Sequence, residues 1–235
     1  MNEAFILAGG KGTRLRPFTA TIPKPLLPLG DKSIISVILA QLEKFDFSKV
    51  HISVGYLSYL IEASIMSQRA SWKFEIDFIH EDKPLGTAGA LSKVYPESEE
   101  LFVINGDTLS DISFSNLMQY HRDRKSGITI ASHKRSVKIE YGVLLPSQTM
   151  DLLKYQEKPV LEYLVSMGIY VIRTDLLSLI PKDTYVDFPT FTINAKEKGH
   201  RVSLYEYSGY WRDLGNLGDI EEATEDYLAN PDRFV

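Results

Sequence analysis

Short apolar runs alternate with segments of helical spacing through the first half of the chain. Ala4–Ala8 (AFILA) is wholly apolar, as a strand becomes when both faces of a parallel sheet are covered. Gly9–Arg16 is a glycine-rich, basic loop. Within Ser33–Lys44, Ile34, Ile35, Ile38, Leu39 and Leu42 fall on one helical face. Val50–Val54 reads as a second strand, Tyr59–Gln68 as a second helix, and Phe74–His80, with its alternation, as a third strand. A loop over Glu81–Gly86 leads into a small-residue helix, Thr87–Val94. Leu101–Asn105 is a fourth strand, Phe114–Arg124 a helix and Gly127–Ser132 a fifth strand.

The second half is less regular. Short strands are expected at Gly142–Leu145, Leu152–Glu157 and Ser166–Ile172. A helix follows over Pro189–Lys198, a strand over Val202–Tyr207 and a last helix over Leu217–Leu228. The βαβαβ rhythm predicts an α/β fold: a mostly parallel sheet with helices on both faces. No repeat or linker divides the chain, so residues 1–235 are expected to form one domain. Residues 1–135 supply its first part, and 136–235 elaborate the same sheet.

Composition narrows the function. Hydrophobic residues make up 44% of the 235, enough for a full core without metal or disulfide staples, and there is no cysteine. The net charge of −5, with no long Lys/Arg run, argues against nucleic acid as a partner. No apolar run approaches membrane length, so no membrane partner and a cytoplasmic location are expected.

The loop LAGGKGTRLRP (Leu7–Pro17) follows a buried strand. Glycines allow close backbone approach and turn N–H groups toward an anion, and Lys11, Arg14 and Arg16 add positive charge. A P-loop is excluded because Gly12, not Ser or Thr, follows Lys11. A dinucleotide fingerprint is excluded because Leu15 stands where its third glycine belongs. Taken alone, such a loop is as readily a simple turn. Its neighbours change that. IPKPLLP (Ile22–Pro28) holds Lys24 between two prolines, on a stiff segment able to reach a phosphate. PLGTAGAL (Pro84–Leu91) offers a small-residue surface for a flat base, or for plain helix packing.

In order along the chain stand LAGGKGTRLRP, PKPLLPLG, EDKPLGTAGAL, INGDTL, EKP, GIYVI and YWRDLG. With this set the chain resembles the sugar-phosphate nucleotidyltransferases, among them mannose-1-phosphate guanylyltransferases and glucose-1-phosphate uridylyl- and thymidylyltransferases. The resemblance covers nearly the whole sequence. It implies a Rossmann-like nucleotide-binding core with sugar-binding insertions in the second half. It also implies attack of a sugar-phosphate oxygen on the α-phosphorus of a nucleoside triphosphate. The C-terminal β-helix common in the family, and an acyltransferase fused through it, are not expected.

The resemblance assigns roles. Arg14 and Lys24 are catalytic: Arg14 toward the leaving pyrophosphate, Lys24 at the reacting centre. Leu7, Ala8, Gly9, Gly10, Lys11, Gly12, Thr13, Glu81, Gly86 and Thr87 form the nucleotide-binding set. Gly142, Glu157, Lys158 and Tyr170 form the sugar-phosphate set. Asp107 and Asp213 are the ligands of Mg2+, which keeps waters and takes phosphate oxygens for its other positions. Each has a plainer reading. Asp107 can be a turn residue, Asp213 the N-cap of the last helix, and Glu157 with Lys158 a surface ion pair. No Ser/His/Asp set or histidine cluster points to hydrolase or zinc chemistry.

The expected partners are a nucleoside triphosphate and a sugar 1-phosphate; a homo-oligomer is left open. GTP is the expected nucleotide, because a carboxylate at Glu81 can accept both the N1–H and the exocyclic amine of guanine. Against this stand a uridylyl- or thymidylyltransferase, an inactive nucleotide-sugar-binding relative and a cytidylyltransferase on a non-sugar phosphate. Retention of Arg14, Lys24, Asp107, Lys158 and Asp213 argues against the inactive form.

Overall fold

The computed structural model describes residues 2–234. In chain order the elements are β1 (Glu3–Leu7), β2 (Pro28–Leu29), β3 (Lys32–Ser33), α1 (Ile34–Lys44), β4 (Lys49–Val54), α2 (Ser58–Ser67), β5 (Glu75–His80), α3 (Gly86–Gly89), β6 (Glu100–Asn105), β7 (Thr108–Ser110), α4 (Phe114–Asp123), β8 (Ile128–Lys138), β9 (Val143–Pro146), β10 (Leu152–Gln156), β11 (Val160–Arg173), α5 (Phe188–Glu197), β12 (Val202–Tyr207), β13 (Trp211–Asp213) and α6 (Leu217–Ala229).

The central sheet has seven strands in the order β12-β8-β11-β6-β1-β4-β5. β1 pairs in parallel with β4 and β6, β4 with β5, and β8 with β12. Only β11 runs antiparallel to its neighbours, β6 and β8. The expected mostly parallel, Rossmann-like sheet is therefore observed, with one reversed strand from the second half of the chain inserted into it.

Each apolar strand serves two layers. On β1, Ala4 and Ile6 enter a cluster with Ile38, Leu42, Phe102 and Phe114, while Phe5 enters another with Leu91, Val103, Phe188 and Phe191. This two-sided burial explains why AFIL has no polar alternation. Helix starts follow local chemistry. The Ser33 hydroxyl accepts from the Ser36 N–H at the start of α1. Asn216 and Asp219 form a capping box on α6, which relieves Asp213 of that duty.

Three predicted elements differ from expectation. The helix predicted over Thr87–Val94 is only the four residues of α3, followed by a 3₁₀ turn over Ala90–Lys93. Ala88 and Gly89 donate their N–H groups to the Val186 carbonyl, each at 3.0 Å, which ties the segment to another loop instead of continuing a long helix. The strands predicted at Gly127–Ser132 and Ser166–Ile172 are longer, because they pair with each other beyond the sheet. Their ladder runs from Ile172↔Ile128 to Val160↔Lys138, with an irregularity between Ser166 and Tyr170. The end of this ribbon carries the β9–β10 hairpin.

No helix among the described residues is long and apolar enough to cross a membrane.

Candidate active site

The carboxyl ends of β1, β4 and β6 lie side by side, with Leu7 opposite both Ser53 and Asn105. Open α/β sheets bind ligands at such ends. Here a cavity of about 420 Å³ opens, lined by loop residues from all three strands.

The glycine-rich loop forms one wall. Gly9, Gly10 and Gly12 line the cavity, with Leu7, Ala8, Thr13 and Arg14. Gly12 has φ 58°, and its carbonyl accepts from the Thr19 hydroxyl at 2.7 Å. A Cβ at Gly9 would overlap Glu81 Oε1, so only glycine lets the loop pass that carboxylate. Among the described residues no protein acceptor pairs with the N–H of Gly9, Gly10, Lys11 or Gly12. Backbone donors left this way want an acceptor, and phosphate oxygens supply several. Lys11 is exposed and lies outside the cavity lining.

Lys24 sits in a short 3₁₀ turn with Pro25 at its second position. The stiff segment buries it to 7% exposure, and its ammonium pairs with Asp107 Oδ2. Asp107 follows β6 at the rim. A two-stranded ladder then brings the C-terminal region to it: β7 pairs with β13, Thr108 opposite Asp213, and the Leu214 N–H donates to the Asp107 carbonyl at 3.0 Å. Asp213 is half-buried and lies just behind the lining. A Cβ at Gly215, which does line the cavity, would stand 3.0 Å from Asp213 Oδ2 and 3.3 Å from Arg14 Nη1.

The charges respond to this crowding. Burial first, then the Asp107 carboxylate, pushes the Asp213 carboxyl above its ordinary pKa; Lys24 and Arg14 pull it back. Two carboxylates are thus close enough to repel, with two cations offsetting them. The backbone of β13 is fixed from behind. Arg212 donates to Glu222 at 2.5 Å and to Asp226 at 3.3 Å on α6, and to the Tyr210 hydroxyl at 3.2 Å.

The opposite wall is the α3 region. Pro84, Gly86 and Thr87 line the cavity, and the Thr87 hydroxyl accepts the Phe188 N–H at 2.8 Å. Glu81 lines it as well, but its Oε2 already accepts the Leu85 N–H at 3.0 Å. Sequence reasoning missed Ser53, Asn105, Tyr185 and Asp187, all at the cavity wall. Asn105 was within reach, since it belongs to INGD. Tyr185 and Asp187 carry no local signal; they arrive because Val186 holds α3.

The sugar-side set is not gathered here. None of Gly142, Glu157, Lys158 or Tyr170 lines the cavity. Glu157 and Lys158 are exposed in the turn after β10, and Glu157 accepts from the Tyr155 hydroxyl at 3.3 Å. Gly142 packs against the Tyr155 ring. Tyr170, expected at a sugar pocket, is 7% exposed: its ring stacks on Phe188 at 3.6 Å and its hydroxyl accepts from Ser166. The two-sided burial of β11 accounts for that placement.

Among the described residues no three His, Cys, Asp or Glu side chains gather to hold a metal with protein ligands alone. A paired aspartate beside a phosphate-sized space instead suits a hard cation that shares its coordination with substrate oxygens and water.

The family model for nucleotidyl transferases matches residues 3–230. The chain belongs to the nucleotidyl transferase family. Among curated relatives, the mannose-1-phosphate guanyltransferase of Debaryomyces hansenii is 32% identical over 97% of this chain and 65% of its own length. That of Yarrowia lipolytica is 31% identical over 99% of this chain and 67% of its own. The chain thus spans about two thirds of the length of such relatives. Among solved structures, HddC from Yersinia pseudotuberculosis is 26% identical, with a TM-score of 0.73, covering 97% of this chain and 100% of that one. HddC complexed with GMP-PN matches at 25% identity over the same shares, also with a TM-score of 0.73. A Bacillus anthracis structure, 24% identical with a TM-score of 0.76 over 96% of this chain and 94% of its own, shares the fold.

Proposed function

We propose that this family member joins GTP to a sugar 1-phosphate, mannose 1-phosphate or a related sugar, releasing pyrophosphate and a nucleotide-sugar. The observation that carries the reading is the meeting of Arg14, Lys24, Asp107 and Asp213 at one edge of a glycine-walled cavity. The curated relatives' names support the reaction class and the sugar. The HddC complex with GMP-PN supports a guanine nucleotide.

Both substrates are polyanions, so catalysis here consists of neutralising charge and aligning the attack. The unpaired N–H groups of the loop and Arg14 would hold the triphosphate. A sugar-phosphate oxygen attacks the α-phosphorus as the bond to the β-phosphate oxygen breaks. Lys24 would meet the charge that builds at the α-phosphate. No general base is required, because the attacking phosphate is already ionised. Asp107 and Asp213 would hold Mg2+, which supplies charge neutralisation at the phosphate oxygens. Glu157 and Lys158, exposed in the turn after β10, would take the sugar and its phosphate. Glu81 would read guanine through its Oε1 and the free lone pair of Oε2. We read residues 1–235 as one catalytic domain, acting in the cytoplasm where nucleoside triphosphates are abundant.

The test is pyrophosphate release from a matrix of GTP, UTP, dTTP, CTP and ATP against mannose 1-phosphate and glucose 1-phosphate, for the parent and for Glu81→Gln. GTP with mannose 1-phosphate should be the best pair, and Glu81→Gln should lower the preference for GTP over UTP by about tenfold. A parent that prefers UTP or dTTP overturns the assignment of the base. No release with any pair overturns the reaction.

A further inference from the structure

A second pocket lies at the other end of the sheet from the glycine loop. It encloses about 460 Å³ between the start of β6, the last turn of α4 and the end of β11. Arg173 on β11 stands opposite Glu100 on β6 there. The proposed reaction makes no use of it.

One wall residue is a buried donor. His121 lines the pocket and is 2% exposed. Its Nδ1 lies 2.8 Å from the Thr129 hydroxyl, which has no other partner among the described residues. The hydroxyl therefore donates to Nδ1, because the opposite tautomer would strand both the hydroxyl proton and the Nε2 lone pair. Burial first, then the charges of Arg122 and Arg173, brings the ring's pKa down to about 4, so it is neutral at pH ~7. Nε2 keeps its proton and meets no acceptor among the described residues. A buried N–H of this kind wants an acceptor from outside the protein.

The cations around it also have donors to spare. Arg122 uses Nε on Glu100 at 2.8 Å, and Arg173 uses Nε and Nη2 on Asp175 at 2.6 and 2.8 Å. Among the described residues, both Nη groups of Arg122, Nη1 of Arg173 and the Lys125 ammonium have no protein acceptor. Acceptors, by contrast, are taken up. The turn after α4, with Lys125 at φ 49°, directs the Lys125 and Ser126 N–H groups to the Arg122 and His121 carbonyls at 2.9 and 3.1 Å. Arg201 covers the Arg124 carbonyl at 2.8 Å. The helix end therefore offers a cation little. Of the three wall carboxylates, Glu100 and Asp175 are paired to the arginines, and Glu99 is exposed.

Free donors grouped around one buried N–H suit an oxyanion. They come from α4, the turn after it and β11, so they share no plane, which fits tetrahedral phosphate oxygens better than a flat carboxylate. Three cations balance three carboxylates in the wall, so the pocket carries no field to attract a polyanion such as nucleic acid. Among the described residues no three His, Cys, Asp or Glu side chains gather to hold a metal.

We propose that this pocket binds a single phosphoryl group on His121, Arg122, Lys125 and Arg173, as inorganic phosphate or as the head of a small phosphomonoester. It is separate from the triphosphate cavity and does not depend on the assigned reaction.

The experiment follows the histidine ring resonances of the full chain by NMR at about pH 7.5, where the His121 ring is neutral. His121→Asn identifies the His121 signal. Sodium phosphate and glycerol phosphate are titrated separately to tens of millimolar, with sodium chloride at matched ionic strength as the control. The His121 signal should move saturably, with a Kd of about 1 mM or below. Lys125→Gln with Arg173→Gln should raise that Kd at least about tenfold, with the buried His51 signal unmoved as the check on the fold. If the double variant loses its fold, Lys125→Gln alone takes its place, with a rise of at least about threefold. Binding of inorganic phosphate alone assigns the free ion; equal or tighter binding of glycerol phosphate assigns an ester. No saturable movement, the same movement with chloride, or an unchanged Kd in the folded variant overturns the proposal.

Discussion

The cavity and the ribbon lie next to each other and obey opposite rules. Around the cavity, backbone and side chains are fixed from several directions. Lys24 is buried between prolines, α3 is tied to Val186, and Asp213 rides on a strand anchored to α6. On the ribbon, side chains such as Tyr141 and Met150 are about four-fifths exposed, and the strands hold only each other. The lesson concerns timing. Groups assigned to the transferred phosphate are already held in place by the fold. Glu157 and Lys158, assigned to the sugar, sit in an exposed turn beside the ribbon.

The sharpest way to break this contrast is at the aspartates. Asp107→Asn should lower turnover by roughly a thousandfold, because it removes charge where the two phosphates are proposed to meet. Lys158→Ala should mainly raise the KM for the sugar phosphate and leave kcat within a few fold. Steady-state kinetics on both variants checks this. An Asp107→Asn enzyme with near-parental kcat, or a Lys158→Ala enzyme losing kcat alone, removes the division of labour.

Stability gives a second view. Phe114 is fully buried, its ring tilted against those of Phe102 and Phe45 with centroids 4.4 Å and 4.9 Å away. Phe114→Ala should cost about 3–5 kcal/mol in urea unfolding. Leu153→Ala, on the exposed hairpin, should cost less than about 1 kcal/mol. Equal losses would mean that the ribbon is part of the core.

A smaller effect than that of Phe114→Ala lies at the far end of the sheet. His121 is 2% exposed, and its Nδ1 is 2.8 Å from the Thr129 hydroxyl. Burial first, then the charges of Arg122 and Arg173, brings its pKa down to about 4. The unfolded chain therefore binds the extra proton first. The stabilising contribution is complete above pH ~6.5 and is lost as pH falls toward ~4. Between pH 7 and pH 5 the parent should lose about 2 kcal/mol more than His121→Asn. Urea midpoints at the two pH values measure it, and parallel losses would contradict the assignment.

Much of this was legible in the residues. The wholly apolar AFIL could only be a strand covered on both faces, and the glycine loop after it could only lie at a strand end. INGDTL marked the rim. What escaped was the part set by distant pairing. β7 and β13 are three residues each, too short to show a period, and they exist because they pair with each other. The ribbon mixes apolar and polar residues on both faces, so no alternation announces its length. Tyr185 reaches the cavity through a carbonyl contact that no spacing rule encodes.

The ladder between β7 and β13 also sets a schedule for synthesis. Asp107 and Asp213 are more than a hundred residues apart in the chain, and the strand that unites them is among the last elements made. A ribosome that has finished β7 has already built the glycine loop, Lys24 and Asp107, the cation and its carboxylate, but half of the acidic pair is missing. That long-range closure is the slow kind of contact, since it waits on loop entropy and chain length. The glycine loop and Lys24 are thus synthesised well before the second carboxylate, and any chain stopped short of Trp211 is born without it.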